Sequence, residues 1–95
     1  MRKITKQVVG AFIERRRCSK SNTWSDGNSL YLYGNRIAWW DLNNRLWIDT
    51  CGWESATTKE RLNAIPGVKI TQKNRVWYLN GKEWDGNAIR INFPM

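Results

Sequence analysis

The stretch SLYLYGNRIAWWDLNNRLWI, residues 29–48, decides the fold class of this chain. Apolar and polar residues alternate along it, and two turn signals interrupt the alternation, the Gly-Asn pair at 34–35 and the Asn-Asn pair at 43–44. Asn and Gly tolerate the positive φ that two-residue hairpin turns require. The stretch therefore predicts three antiparallel strands joined by tight turns, and the Asp-Gly pair at 26–27 adds a fourth strand before them.

The predicted turns also assign side chains to the two faces of this meander. A two-residue loop fixes the register of its hairpin, and register decides which side chains share a face. With such a loop at 43–44, Trp40 lies opposite Trp47, and with one at 34–35, Ser29 lies opposite Trp40. One face then collects the residues expected in the core: Leu30, Leu32, Ile37, Trp39, Leu46 and Ile48. The other face collects aromatic and arginine side chains: Trp24, Tyr31, Tyr33, Arg36, Trp40, Arg45 and Trp47.

The segment before the meander, residues 5–16, predicts an amphipathic helix. Its apolar side chains recur at helical spacing, and Thr5 is available as the N-cap. Residues 1–3, which precede this helix, are expected to be flexible. Three arginines stand at its end, where positive charge complements the helix dipole: Arg15, Arg16 and Arg17.

The segment after the meander predicts a short capped helix and a second set of antiparallel strands. The helix covers residues 55–65, and its Thr57 and Glu60 have capping-box spacing. An Asn-Gly turn at 80–81 then sets Trp77 across from Trp84. The chain is therefore expected to form a single α+β domain over residues 1–95, and the pattern leaves open whether its strands form one sheet or two.

The charge of the chain is strongly positive and uneven. Sixteen Lys and Arg residues face eight Asp and Glu residues, a net charge of +8, and the first twenty residues hold seven of the basic ones. Such a field favours polyanionic partners such as nucleic acid or an acidic protein. The alternative is a solvated face that only keeps the protein soluble.

Catalysis and metal binding find little support in the residue inventory. Cys18 and Cys51 lack C-x-x-C spacing, and the chain has no histidine, so a zinc site or a Ser-His-Asp triad has no ligands or base. We expect no enzyme, metal or cofactor, and two free thiols as in a reducing cytosol. No apolar run approaches the roughly 20 residues of a membrane span, and no secretion signal precedes the helix.

The aromatic and arginine face predicts a binding surface for nucleic acid, with single strands favoured over duplex. Unpaired bases stack on aromatic rings, and guanidinium groups meet phosphate. In this hypothesis Trp24, Trp40 and Trp47 stack on bases, and Tyr31 and Tyr33 extend the surface. Phosphate contacts come from Arg36, Arg45 and Arg15 to Arg17. The alternative is that a helix or the last strands cover this face, which makes its tryptophans a second core layer.

Other partners fit the same residues. Trp, Tyr and Arg are enriched at protein interface hot spots, so the face also suits a module that inhibits an acidic host or defence protein, or a homodimer.

A second, smaller anion site is possible at the start of the second helix, around Thr57, Thr58 and Lys59. Ordinary helix capping is the alternative interpretation of those three residues.

Several stretches together resemble a group of small uncharacterised proteins encoded by tailed bacteriophages. They are ITKQVVGAF (4–12), SNT (21–23), LYLYGNRIA (30–38), GWESATTKERLNAIPGV (52–68) and WYLNGKEWDG (77–86). The resemblance implies a phage origin and action in the cytoplasm of a bacterial host, in host takeover or counter-defence. It implies no particular activity, so no functional residue is carried over from the group.

Overall fold

The computed structural model describes residues 2–94, in which two helices and nine strands follow one another. The order begins with α1 (Lys3–Ile13), β1 (Arg17–Lys20), β2 (Thr23–Asp26), β3 (Ser29–Leu32), β4 (Asn35–Trp40) and β5 (Leu46–Ile48). It continues with α2 (Ala56–Asn63), β6 (Ile70–Lys73), β7 (Val76–Leu79), β8 (Lys82–Glu83) and β9 (Ile89–Ile91). The predicted α+β class is confirmed.

The strands form two antiparallel sheets. The larger sheet has six strands in the order β1-β2-β3-β4-β5-β9, and the smaller one has three, β6-β7-β8. Two of the six strands lie outside the predicted meander. Residues 17–20 form β1, where the sequence pattern predicts the end of a helix, and β9 joins the larger sheet beside β5 although it comes last in the chain.

Both helices pack on the same side of the larger sheet. α1 contacts β1, β2 and β3, whereas α2 contacts α1, β4 and β6. The apolar side chains of both helices and both sheets meet in one cluster, in which Phe12 and Leu62 are fully buried. Trp77 of the smaller sheet and Trp84, which directly follows β8, lie in the same cluster. The smaller sheet therefore shares the core of the larger one.

A buried arginine connects the two helices to β2. The Arg61 guanidinium is 1% exposed; its Nε donates to Thr23 Oγ1 at 2.9 Å and its Nη1 donates to Thr5 Oγ1 at 2.7 Å. Nη1 also pairs with Glu60, and Nη2 donates to Asn22 Oδ1 at 3.4 Å. A buried charge is tolerated only when its donors are satisfied, and this guanidinium has a partner on every nitrogen.

The caps of both helices differ from the predicted ones. Arg2 is the N-cap of α1, and Thr5 lies inside the helix with its hydroxyl donating to Glu60 Oε1 at 2.7 Å. Ser55, rather than Thr57, caps α2 by accepting from the backbone N–H of Thr58 at 3.1 Å. Tertiary partners explain the first difference, because Thr5 is needed in the Arg61 network.

The residues at the start of the chain contact α2. Lys3 begins α1, and the backbone N–H of Arg2 donates to Glu60 Oε2 at 3.1 Å. Met1 lies outside the described residues.

The pKa of Glu60 is lowered. Burial opposes ionisation of this carboxyl, but the hydrogen bonds from Thr5 and Arg2 and the charge of Arg61 outweigh the effect of burial.

The β4–β5 hairpin has a different register from the predicted one. Trp39 lies opposite Trp47 and Trp40 lies opposite Leu46, because the loop holds three residues, 42–44, instead of two. Asp41 closes this loop: its backbone N–H donates to Arg45 O at 2.9 Å. A three-residue loop of this kind needs its last residue in the left-handed region, and Asn44 has φ 60.

The β3–β4 pairing also differs from the predicted one, because its two-residue loop is 33–34 instead of 34–35 and a β-bulge follows in β4. Tyr31 lies opposite Arg36, but Leu30 lies opposite Ala38, so Ile37 is the extra residue. Ile37 and Ala38 both turn toward the core, where they are 1% and 0% exposed. After the bulge the alternation of β4 is reversed relative to the predicted one.

Two other pairings complete the comparison of registers. In the β2–β3 hairpin, a two-residue loop at 26–27 would set Trp24 opposite Ser29. Trp24 instead lies opposite Tyr31, a shift of two residues that leaves the faces unchanged. The Asn-Gly turn at 80–81 is confirmed: Tyr78 lies opposite Glu83, and the N–H of Trp84 donates to the carbonyl of Trp77 at 2.9 Å.

Candidate functional site

The face of the larger sheet that points away from both helices carries aromatic and arginine side chains. We call it the outer face. Strand pairing arranges it in two rows that run across the strands. The first row is Ser19, Trp24, Tyr31 and Arg36, and the second is Ser29, Trp39, Trp47 and Arg90. Each row therefore combines two adjacent rings with an arginine at one end.

The rings of each row are arranged in parallel pairs. The ring centroids of Trp24 and Tyr31 are 5.4 Å apart with planes inclined by 16°, and those of Trp39 and Trp47 are 6.3 Å apart with planes inclined by 4°. All four side chains are half-buried, because each packs against its neighbour. Cross-strand aromatic pairs of this kind stabilise a sheet, so the rings are held in place without a ligand.

Positive charge lies directly on these rings. The guanidinium carbon of Arg36 is 4.2 Å from the centroid of the Trp39 ring, a cation–π distance, and Arg36 is exposed. Arg90 is also exposed and lies opposite Trp47. Arg17, opposite Asp26, adds a third exposed arginine at the other end of the sheet.

Asp41 positions the second ring pair. Its Oδ2 accepts a hydrogen bond from Trp47 Nε1 at 2.8 Å, and its Oδ1 accepts from the N–H groups of Asn43 and Arg45. The hydrogen bond from Trp47, with those from the Arg45 and Asn43 N–H groups, lowers the pKa of this carboxyl. Trp47 is therefore held by the same residue that closes the β4–β5 loop.

The predicted face is correct for four of its residues and wrong for one tryptophan. Trp24, Tyr31, Arg36 and Trp47 lie on the outer face. Trp40 is 6% exposed and belongs to the core.

The buried position of Trp40 is defined by specific contacts. Its ring stacks on Phe12 with centroids 5.6 Å apart and meets the edge of Phe93 at 5.2 Å, and its Nε1 donates to the carbonyl of Phe12 at 3.3 Å. Trp39, predicted in the core, takes its place on the outer face. Two features account for this exchange. The bulge reverses the alternation of β4 relative to β3, and the three-residue loop sets Trp39 rather than Trp40 opposite Trp47.

The predicted basic tract separates in space. Arg15 lies over the Trp40 ring, with its guanidinium carbon 4.2 Å from the centroid, and donates to Asn44 Oδ1 at 3.4 Å. Arg16 pairs with Glu14. Of the three, only Arg17 lies on the outer face.

The remaining predicted residues lie elsewhere. Arg45 is exposed at the end of the β4–β5 loop. Tyr33 is 68% exposed in the β3–β4 turn. Thr58 is buried and hydrogen-bonded to Ser55, and Lys59 Nζ donates to Gln72 Oε1 at 3.3 Å, so these two side chains do not converge on an anion.

Trp39, Asp41 and Arg90 contribute to the outer face but were not predicted as part of it. One local signal could have identified Asp41, because an Asp side chain commonly accepts a hydrogen bond from the backbone N–H two residues on, here that of Asn43. That signal would have favoured a three-residue loop and placed Trp39 correctly. Arg90 has no such signal, since its place depends on β9 pairing with β5.

Cysteine and metal chemistry gain no support from the described residues. Cys18 and Cys51 are free thiols, and burial and the nearby Asp49 raise the pKa of Cys51. Within residues 2–94, no three Cys, Asp or Glu side chains come close enough together to hold a metal ion. Neither helix in this range has the length and apolar character needed to cross a membrane.

The fold and the outer face together define a small basic α+β protein that combines paired aromatic rings and arginines on one side of a six-stranded sheet. The chain belongs to the Kyanoviridae Gp96 protein family, whose model matches residues 1–93. This is a phage protein family, and the phage origin that the sequence resemblance implies is confirmed. No curated protein and no solved structure matches the chain significantly.

Proposed function

We propose that this phage protein binds single-stranded nucleic acid on the outer face, without catalysis, in the cytoplasm of its bacterial host. The proposal rests on two stacked ring pairs of the outer face, Trp24 with Tyr31 and Trp39 with Trp47. Exposed arginines border both pairs. A role in host takeover or counter-defence is the biological setting that we propose for this binding.

The outer face and a single-stranded nucleic acid have complementary chemical groups. The exposed Arg17, Arg36 and Arg90 can contact phosphates, while the half-exposed rings can stack on bases at about 1–3 kcal/mol per base. A net charge of +8 adds long-range attraction for a polyanion. Neighbouring strands are about 4.8 Å apart, so the four strands that carry the rings span about 14 Å, which accommodates a short run of nucleotides.

Single strands are favoured over duplex for a geometric reason. The faces of bases are covered by stacking in a duplex, and only unpaired bases can move out to meet aromatic side chains. The outer face presents ring surface on a sheet, and the described residues place no helix there that could enter a major groove.

A second candidate function is docking on an acidic host or defence protein. It is favoured by the fixed Trp and Tyr rings beside exposed arginines, which are the residue types enriched at interface hot spots. Hydrogen bonds to two carboxylates help to hold these rings. Asp41 accepts from Trp47, and Asp26 Oδ2 lies 3.5 Å from the hydroxyl of Tyr31. A face of mixed charge with fixed aromatic side chains resembles a protein interface hot spot as well as a nucleic-acid surface.

The test is fluorescence anisotropy with a labelled single-stranded 12-mer at several salt concentrations. We expect the Arg36→Ala, Arg90→Ala double variant to bind at least about tenfold more weakly. The slope of log K against log salt should also become shallower by about 0.7 for each phosphate that the variant no longer neutralises. The matched control is Lys73→Ala, Lys82→Ala, which removes the same charge from exposed positions on the smaller sheet.

Equal weakening in both double variants would mean that charge alone attracts the strand, and the site assignment would be wrong. Absence of binding by the wild-type protein at low salt would remove nucleic acid as the ligand. A nuclease-treated host lysate would then test protein docking. Size-exclusion chromatography at high concentration would show whether the outer face instead joins two copies of this chain.

A further inference from the structure

A cleft lies between the β3–β4 turn and the start of α2, on the helix side of the larger sheet. Its volume is about 510 Å³, within the range of small-molecule sites. Leu32 and Ile37 contribute apolar surface, and Tyr33, Trp53, Asn35 and Thr57 are among its other lining residues.

Two large aromatic side chains border this cleft and remain in solvent. Tyr33 is 68% exposed and Trp53 is 65% exposed, whereas the four rings of the outer face are only half-exposed. A tryptophan gains stability from burial, so a Trp and a Tyr left exposed beside one cavity indicate a binding role.

Both aromatic residues are held by well-defined turns. Tyr33 has φ 51, in the left-handed region, and its N–H donates to Asn22 O at 2.8 Å. The N–H of Trp53 donates to Thr50 O at 2.9 Å, and Thr50 is itself bonded to the carbonyl of Gly86 through its hydroxyl. The backbone under each ring is therefore fixed before any ligand arrives, which reduces the entropic cost of binding.

The lining chemistry selects a neutral, planar ligand. No charged side chain lines the cleft in the described part of the chain. Asn35 and Thr57 offer amide and hydroxyl groups, which can donate and accept hydrogen bonds to the edge of a base. A phosphate would find no cation here, whereas a nucleobase would find ring faces, apolar surface and polar groups together.

The cleft lies on the helix side of the larger sheet, at the end where β3 turns into β4. Asn35, which lines the cleft, is followed in the chain by Arg36, whose side chain lies on the opposite, outer face. A strand that contacts Arg36 by a phosphate can therefore reach the cleft by passing around this end of the sheet.

We infer that the cleft receives one unpaired base of the bound strand, between Tyr33 and Trp53; this inference rests on the proposed function. Base contact and phosphate contact differ in their salt dependence. Removing a ring of the cleft should weaken binding without changing the salt slope, because no ion pair is removed with it.

The experiment compares Trp53→Ala and Tyr33→Ala with wild type, using the labelled 12-mer and an abasic 12-mer with the same phosphates. We expect each variant to bind the base-containing strand at least about fivefold more weakly than wild type, with an unchanged salt slope. The affinity for the abasic strand should be the same in the variants and in wild type. The matched control is Leu42→Ala, which removes another fully exposed apolar side chain, outside the cleft. Circular dichroism confirms that each variant is folded.

Two results would overturn the inference in distinguishable ways. If both cleft variants bind the base-containing strand like wild type while Arg36→Ala, Arg90→Ala binds weakly, only the cleft assignment is wrong. If wild type does not bind the strand at all, the proposed function fails and the cleft assignment fails with it.

Discussion

Two hairpins of this protein each carry a pair of tryptophans and place them in opposite environments. In the β4–β5 hairpin, Trp39 and Trp47 are 6.3 Å apart, nearly parallel and half-exposed. In the β7–β8 hairpin, Trp77 and Trp84 are 6.4 Å apart, tilted by 45° and buried in the core. Rings at similar spacing thus form a half-exposed pair in one hairpin and part of the core in the other.

The turns explain why one register could be predicted and the other could not. Asn80 and Gly81 both have positive φ, 52 and 87, which a two-residue turn of type I′ requires. In the β4–β5 loop, only Asn44 of the Asn-Asn pair has positive φ. Asp41 accepts from the N–H groups of this loop and extends it to three residues, so Trp39 and Trp40 exchange faces.

The largest difference between the hairpins should be in stability. Trp77→Ala removes a side chain that is 3% exposed, and we expect the free energy of unfolding to fall by about 3–5 kcal/mol. Trp47→Ala removes a half-buried ring and should cost only about 1–2 kcal/mol. Urea unfolding measures both. Equal losses would contradict the assignment of Trp47 to an outer face.

A smaller difference is expected between the turns. Gly81→Ala places a Cβ at φ 87, so the free energy of unfolding should fall by about 1–2 kcal/mol. Asn44→Gly should change it by no more than about 1 kcal/mol, since Asn already tolerates the left-handed region.

The control for Gly81→Ala makes the same chemical change inside α1. At Gly10 an added Cβ meets no atom within 4 Å, so Gly10→Ala should stabilise the protein by about 0.5–1 kcal/mol. Thermal unfolding followed by circular dichroism compares the three variants. A destabilising Gly10→Ala together with a neutral Gly81→Ala would refute the turn explanation.

The smallest expected effect is on the pH dependence of stability, and it comes from Asp41, the carboxylate that closes the β4–β5 loop. The pKa of Asp41 is lowered in the folded protein, so its contribution is present above its unfolded value of 3.8 and is lost as the pH falls below it. Asp41→Asn should therefore reduce stability near neutral pH and have a smaller effect below pH 3.8. Unfolding at a series of pH values, with Asp49→Asn as the control, tests this. An equal deficit at every pH would mean that ionisation of Asp41 does not matter.

Local patterns predicted much of the architecture. Apolar periodicity indicated both helices, and the turn residues indicated the hairpins, including the correct pairing of Tyr78 with Glu83. They could not predict that β9 pairs with β5, because that contact joins residues far apart in the chain. They also missed β1, which follows a helix that ends at Ile13 instead of continuing through the arginines.

The sequence by itself determined the α+β class, the excess of positive charge and the concentration of rings and arginines in the meander, because these depend on composition and on short-range periodicity. The tertiary structure alone decided which rings are accessible. Trp40 is buried because Phe12 and Phe93 close around it, and Trp39 is outside because a bulge and an aspartate-closed loop reverse the alternation of one strand. A shift of one residue in register moves every side chain to the other face, and here the packing and the loop hydrogen bonds set that shift.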